Sequence, residues 1–172
     1  MANHLTASLN ASINNVCTDD ETLASAQETW SASFPMSLVD GTGNGAGNIQ
    51  WLSERTLTAG GSENLDLYGV LLAFDGTAIT FVNVKALIII NTSMTNTLIV
   101  GGAGANAWLG FLGGTSHTLT VPKATSASVP GVLVLMAPGG MTAGATNRLL
   151  KMQHGALDST NLTYKIGFLG QQ

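Results

Sequence analysis

The sequence predicts an all-β protein, and three observations carry that prediction. From residue 49 onward the apolar residues fall in ten short runs, the runs are separated by Gly, Asn, Asp and Pro, and scarcely any segment repeats at helical spacing. Ten short strands with almost no helix describe a sandwich or a barrel. At 172 residues one domain is expected, large enough to bury a core without disulfide or metal staples.

Residues 1–28 are set apart as an arm, and residues 29–172 as the β-sandwich domain. In the arm, Leu5, Leu9, Ile13 and Val16 recur at roughly helical spacing, and Thr18-Asp-Asp-Glu21 matches a capping box, so a short helical or partly extended segment is expected. Its apolar residues form one narrow stripe, for its own domain or for a neighbouring subunit. Trp30-Ser-Ala-Ser-Phe-Pro-Met-Ser-Leu then alternates large with small residues as a strand does, and Gly41-Thr-Gly-Asn-Gly-Ala-Gly-Asn48 reads as a flexible surface loop. Those glycines fit neither GxxxxGK[ST] nor GxGxxG, which argues against a phosphate cradle.

The ten strands are expected at residues 49–58, 62–68, 79–81, 85–91, 97–100, 107–111, 117–121, 131–137, 148–154 and 162–169. Ala86-Leu-Ile-Ile-Ile90 and Val132-Leu-Val-Leu-Met136 are apolar throughout, as central strands covered on both faces are. Leu65-Asp-Leu-Tyr and Leu162-Thr-Tyr-Lys-Ile166 alternate, as strands with one wet face do. Asn91-Thr-Ser-Met-Thr-Asn96 has the composition of a hairpin tip, and Pro130 and Pro138 bracket a strand without costing a central ladder bond. Strand order stays open, since a jelly roll and other Greek-key sandwiches share this linear pattern.

Charge is scarce. Asp, Glu, Lys and Arg make up 9% of the chain, against about 25% in an ordinary domain. The net charge of −4 and the lack of clustered Lys and Arg exclude a phosphate-tracking surface, so nucleic acid is not an expected partner. Residues 1–76 hold nine acids and one base (Arg55), while residues 77–172 hold five bases and one acid (Asp158). Either copies attract head-to-tail, or the two halves interleave within one fold and cancel locally. The charge-free stretches 86–122 and 124–147 are broken by Gly, Asn, Thr and Pro, so neither reads as a membrane helix. The first residues lack the basic and apolar regions of a secretory signal, and no membrane partner is expected.

Catalytic chemistry finds little material. Cys17 is the only cysteine, and no Cys/His spacing suggests a metal site or a cofactor. His4, His117 and His154 are scattered, and Ser116 beside His117 would point to opposite faces of a strand. Asp66 and Asp75 flank a turn and read as solvated carboxylates rather than a glycosidase pair. A helix N-terminus accounts for Asp19-Asp-Glu21 better than an EF-hand does. Asn10, Asn91 and Asn161 head glycosylation acceptor triplets at near chance frequency. Trp51, Trp108 and Phe111 lie beside Gly- and Asn-rich segments, as core residues, a sugar-stacking platform or a protein hot spot.

One resemblance adds to this reading. Leu57-Thr-Ala-Gly-Gly-Ser-Glu-Asn-Leu-Asp-Leu67, Phe81-Val-Asn-Val-Lys-Ala-Leu-Ile-Ile-Ile-Asn91, Asn96-Thr-Leu-Ile-Val-Gly-Gly102, Pro130-Gly-Val-Leu-Val-Leu135 and Leu162-Thr-Tyr-Lys-Ile-Gly-Phe-Leu-Gly170 resemble small virion proteins of tailed bacteriophages, in particular jelly-roll capsid decoration (cement) proteins. The resemblance covers residues ~50–170 and defines no functional residue. It implies a jelly-roll-like antiparallel β-sandwich and a non-enzymatic protein made in the host cytoplasm. Such a protein self-associates as a homo-oligomer and binds the phage major capsid protein on the outside of the shell. Scarce charge suits a subunit buried by neighbours on several sides, because interface cores are depleted of it. The expected interface residues are Leu5, Leu9, Ile13, Trp51, Trp108 and Phe111, with the loops at 41–48 and 101–116 as further contacts. The alternative is a receptor- or glycan-binding module of a phage tail or fibre, stacking sugars on Trp51 or Trp108.

Overall fold

A computed structural model describes residues 5–21, 24–155 and 160–172. Among them are thirteen strands and no helix: β1 (Ala7–Glu21), β2 (Ala24–Asp40), β3 (Ala46–Gly47), β4 (Ile49–Leu57), β5 (Ser62–Asp66), β6 (Tyr68–Leu72), β7 (Ala78–Thr80), β8 (Asn83–Asn91), β9 (Leu98–Gly101), β10 (Thr118–Val121), β11 (Gly131–Thr142), β12 (Leu149–His154) and β13 (Leu162–Gln171). Eight of these form two four-stranded antiparallel sheets, ordered β4-β13-β8-β11 and β5-β12-β9-β10.

Those two orders follow from one nested pairing. β9 pairs with β10, β8 with β11, β5 with β12 and β4 with β13, each pair antiparallel. The chain is thus one long ribbon folded back on itself between β9 and β10. Winding it up places alternate pairs in opposite sheets, which is the jelly-roll arrangement. The short β6–β7 hairpin is inserted between β5 and β8.

Alternation along the strands points Trp51, Leu57, Leu87, Ile89, Tyr164, Ile166 and Phe168 of the first sheet toward Leu65, Leu98, Val100, Leu150 and Met152 of the second, and this is the main core. β8 is central and mostly buried, as its apolar sequence predicts. β11 corrects the parallel expectation: it is an edge strand, with Val132 and Val134 exposed on the outer face. It also continues through Pro138, at a ladder irregularity between Met136 and Met141 where a missing N–H costs nothing.

Residues 107–111 form no strand. Gly101, Gly102 and Gly104 all have positive φ, and a side chain at Gly101 (φ +103°) would lie 2.5 Å from the His117 carbonyl oxygen. The ribbon therefore turns there, and the following segment folds inward, with the Trp108 N–H donating to Leu149 O at 2.9 Å.

Of the two N-terminal alternatives, helical or extended, the structure takes the second. β1 and β2 form a continuous antiparallel hairpin from Ala7↔Leu38 to Glu21↔Ala24, so the extended alternative holds and the capping-box helix does not exist. Helical spacing of Leu5, Leu9, Ile13 and Val16 loses to the two-residue period of Leu5, Ala7, Leu9, Ala11 and Ile13, which strand pairing uses. This hairpin runs past residue 28 to Asp40.

Candidate functional site: the projecting hairpin and the outer sheet face

The hairpin register sorts its side chains by chemistry. Residues directly opposite one another share a face, so one face carries Ala7 with Leu38, Leu9 with Met36, Ala11 with Phe34, Ile13 with Ala32 and Asn15 with Trp30. The opposite face carries Ser8 with Ser37, Asn10 with Pro35, Ser12 with Ser33 and Asn14 with Ser31. The ribbon is amphipathic along this length.

Only its root is covered. Met36 and Leu38 are buried against Ala86, with Leu9, Met136 and Leu169 packed around them. Those partners lie on the outer face of the β4-β13-β8-β11 sheet, in the row where Ala86 pairs with Leu169 and Met136. Farther out the same apolar face is bare, with Ile13 55%, Trp30 54% and Phe34 57% exposed. At about 3.4 Å per residue, the fifteen residues of β1 span roughly 50 Å, so most of the ribbon stands clear of the sandwich.

The root is held firmly. Lys85, buried in the sandwich, donates from Nζ to Gly43 O and Pro138 O at 3.0 Å each, and Gln171 Nε2 donates to Gly43 O at 2.7 Å. Burial holds the Lys85 pKa below its ordinary value. The backbone N–H of Leu5 donates to Asp40 Oδ1 at 3.1 Å. The glycine tract at 41–48, expected as a flexible loop, thus carries β3 and ties hairpin to sandwich, spending its carbonyls on Lys85 and Gln171.

Next to the root, the outer sheet face continues as an uncovered apolar surface. Leu52, Gly167, Ile88 and Val134 lie side by side across four strands, and Ile90 and Val132 flank them in the next row. Leu52 is 67% exposed. Because Gly167 has no side chain, β4, β13 and β8 leave a shallow depression of about 360 Å³ there, lined by Leu52, Glu54, Ile88, Ile90 and Lys165.

Of the residues singled out from sequence, Leu5 is buried at the hairpin root, Leu9 packs half-buried beside it, and Ile13 projects. The structure brings these three onto one element. Trp51 and Trp108 belong instead to the sandwich interior, and Phe111 packs half-buried against it. Trp108 is fully buried and donates its indole N–H to Thr142 O at 3.0 Å, and Phe111 meets it edge-on at 5.6 Å. Trp51 is buried against Phe168, which also touches Trp108. Neither tryptophan offers a ring face to a sugar. Trp30, Phe34, Leu52 and Val134 were not singled out; the alternation of Trp30, Phe34 and Met36 with small residues was their signal.

The titratable residues are mostly occupied with structure. Asp66 lies 3.4 Å from Arg148 and accepts from the Tyr68 N–H, while Asp75 accepts from the Thr77 N–H at 3.0 Å in a turn. The Thr77 contact holds the exposed Asp75 carboxyl below its ordinary pKa. His154 is buried and its Nε2–H donates to Thr160 O at 3.0 Å. His117 is exposed, with its backbone N–H bonded to Gly114 O. Cys17 is exposed on β1. Among the described residues no three of His, Cys, Asp and Glu gather as metal ligands would. His4 and the side chains of Asp19, Asp20 and Glu21 lie outside the described residues, although the backbone there is strand rather than a helix N-terminus.

Comparison of the chain with protein-family models, curated proteins and solved structures gives no match.

Proposed function

We propose that the protein is a structural component of a viral particle, a capsid decoration protein that self-associates and binds the outside of a phage major capsid shell. The observation that carries this reading is the amphipathic hairpin, which projects from a jelly-roll sandwich with its apolar face uncovered. A two-stranded ribbon is marginal by itself in water, and exposed apolar surface of this kind marks a docking site. The strand and turn phrases that resemble phage decoration proteins lie in the sandwich strands, and a charge-poor surface suits repeated contacts. The glycan-binding alternative relied on Trp51 or Trp108, whose rings are used in the core.

Mixing the purified protein with expanded phage shells tests the reading by co-sedimentation. Saturable binding at a fixed ratio to the major capsid protein is the expected result. Protein that stays in the supernatant at every shell concentration overturns it.

A further inference from the structure

We infer that the exposed middle of the β1–β2 hairpin, from Ala11 to Asn15 and from Trp30 to Phe34, docks onto the outer face of the β4-β13-β8-β11 sheet of a second copy of this chain, beside the place where that copy's own hairpin root lies. The inference rests on the self-association part of the proposed function and identifies the two surfaces that meet.

Among the described residues two apolar surfaces are left exposed, and each continues a contact the chain already makes with itself. On the hairpin, the face that buries Met36 and Leu38 runs on without interruption to Phe34, Ile13 and Trp30. On the sheet, the face that receives them at Ala86 and Met136 runs on to Ile88, Val134, Leu52 and the Gly167 depression. The root contact shows that these two chemistries pack together. The second half of each surface is the same kind of surface, and one chain's hairpin cannot cover its own sheet twice while projecting. A neighbour's hairpin can.

Charge favours the same occupant. The hairpin sequence from Ala7 to Asp40 holds five acids and no Lys or Arg, whereas residues 41–172 hold all six Lys and Arg and five acids. An acidic ribbon therefore meets a sandwich of slightly positive net charge, while the receiving depression itself is neutral, with Lys165 paired to Glu54 on its rim. Such attraction orients the encounter. The contact is heterologous, hairpin to sheet, so repeating it leads to a closed ring when the rotation between copies closes. The large side chains available to enter the depression are Phe34 and Trp30, the residue types that dominate binding energy at interfaces.

Two double variants separate the surfaces, both at positions exposed in the monomer. Ile13→Glu with Phe34→Glu spoils the hairpin face and leaves the sheet; Leu52→Glu with Val134→Glu spoils the sheet face and leaves the hairpin. Wild-type protein in shell-free solution is expected to be oligomeric by light scattering. Each variant alone should be monomeric, its self-association weakened about 100-fold or more, with the near-ultraviolet signal of the buried Trp108 unchanged. Mixed together, the two variants should form a 1:1 heterodimer and nothing larger, because one intact hairpin and one intact sheet remain.

Three outcomes overturn the inference: a monomeric wild type, variants that oligomerise as the wild type does, or a mixture that stays monomeric. If the wild type is monomeric yet coats shells, and Ile13→Glu with Phe34→Glu abolishes coating, the hairpin's occupant is the shell, and the shell-binding half of the decoration reading survives while the self-association half falls. If the heterodimer forms and nothing coats shells, the docking stands and the decoration reading falls.

Discussion

Glu63 receives hydrogen bonds from groups that arrive from both halves of the chain. Arg55 Nε donates to Oε2 at 3.0 Å, and the buried Tyr164 hydroxyl donates to Oε1 at 2.8 Å. Arg55, Glu63 and Tyr164 sit on β4, β5 and β13, so the carboxylate ties one sheet to the other. A hydrogen bond to a charged group is worth about 1.5–3 kcal/mol, and Tyr164→Phe should lower unfolding stability by that amount in a denaturant titration. Two buried groups set opposite alkaline trends. Burial raises the Tyr164 pKa far above its ordinary 10.0, with the bond to Glu63 adding to it. The unfolded chain therefore loses this proton first, and stability falls as pH rises past about 10. Burial lowers the Lys85 pKa below its ordinary 10.5, so here the unfolded chain holds the proton longer and stability grows with pH through the window just under that value. Thermal melts from pH 8 to 11 should show a shallower rise in Lys85→Met and a shallower alkaline fall in Tyr164→Phe. Equal slopes in wild type and variant would refute the assignment for that residue. Asn91 shows how a sequence motif is set aside at this scale. Its triplet fits a glycosylation acceptor, yet its Nδ2 is buried and donates to Asn96 O at 2.9 Å and Pro122 O at 3.0 Å.

The hairpin is an element whose root and exposed middle have different energetics. Leu38, buried at the root, should cost about 2–5 kcal/mol on truncation to Ala, the range for removing a buried leucine. Phe34, four residues away on the same face and 57% exposed, should change monomer stability by less than about 0.5 kcal/mol. Denaturant melts of Leu38→Ala and Phe34→Ala compare the two directly, and equal losses would mean that the ribbon beyond its root is packed. Legibility from sequence also divides within this element. Trp30 to Leu38 alternates large with small residues and reads as a strand. Residues 5–13 alternate too, but Leu5, Leu9 and Ile13 also satisfy a four-residue spacing, and Thr18 to Glu21 imitates a helix start. Pairing with β2 settles the choice, because its ladder takes up the inward-pointing backbone groups of β1 from one end to the other, an advantage no local pattern displays. β11 is the reverse case: its apolar run reads as central, and it is an edge strand with Val132 and Val134 exposed on its outer face.

At the scale of the whole molecule, the charge asymmetry of the sequence acquires a location. Because the jelly roll pairs early strands with late ones, acids of the first half meet bases of the second: Asp66 on β5 faces Arg148, which precedes β12, at 3.4 Å, and Glu54 on β4 faces Lys165 on β13 at 3.5 Å. The two halves interleave as the local-cancellation reading expects, and the acid left over is concentrated in the hairpin. The exposed Lys165–Glu54 pair contributes little by itself. The same nesting makes folding depend on contacts between residues far apart in sequence, such as Leu57 with Leu162. Refolding from denaturant should therefore take milliseconds to seconds rather than microseconds, which stopped-flow tryptophan fluorescence would measure. Hydrophobic period and turn chemistry are local properties, so the sequence by itself determined the all-β class and the positions of most strands. Pairing, burial and exposure depend on which distant segments meet. Only the tertiary structure decided that Trp51 and Trp108 are core, that β11 is an edge, and that one apolar face of the N-terminal ribbon is left without a partner.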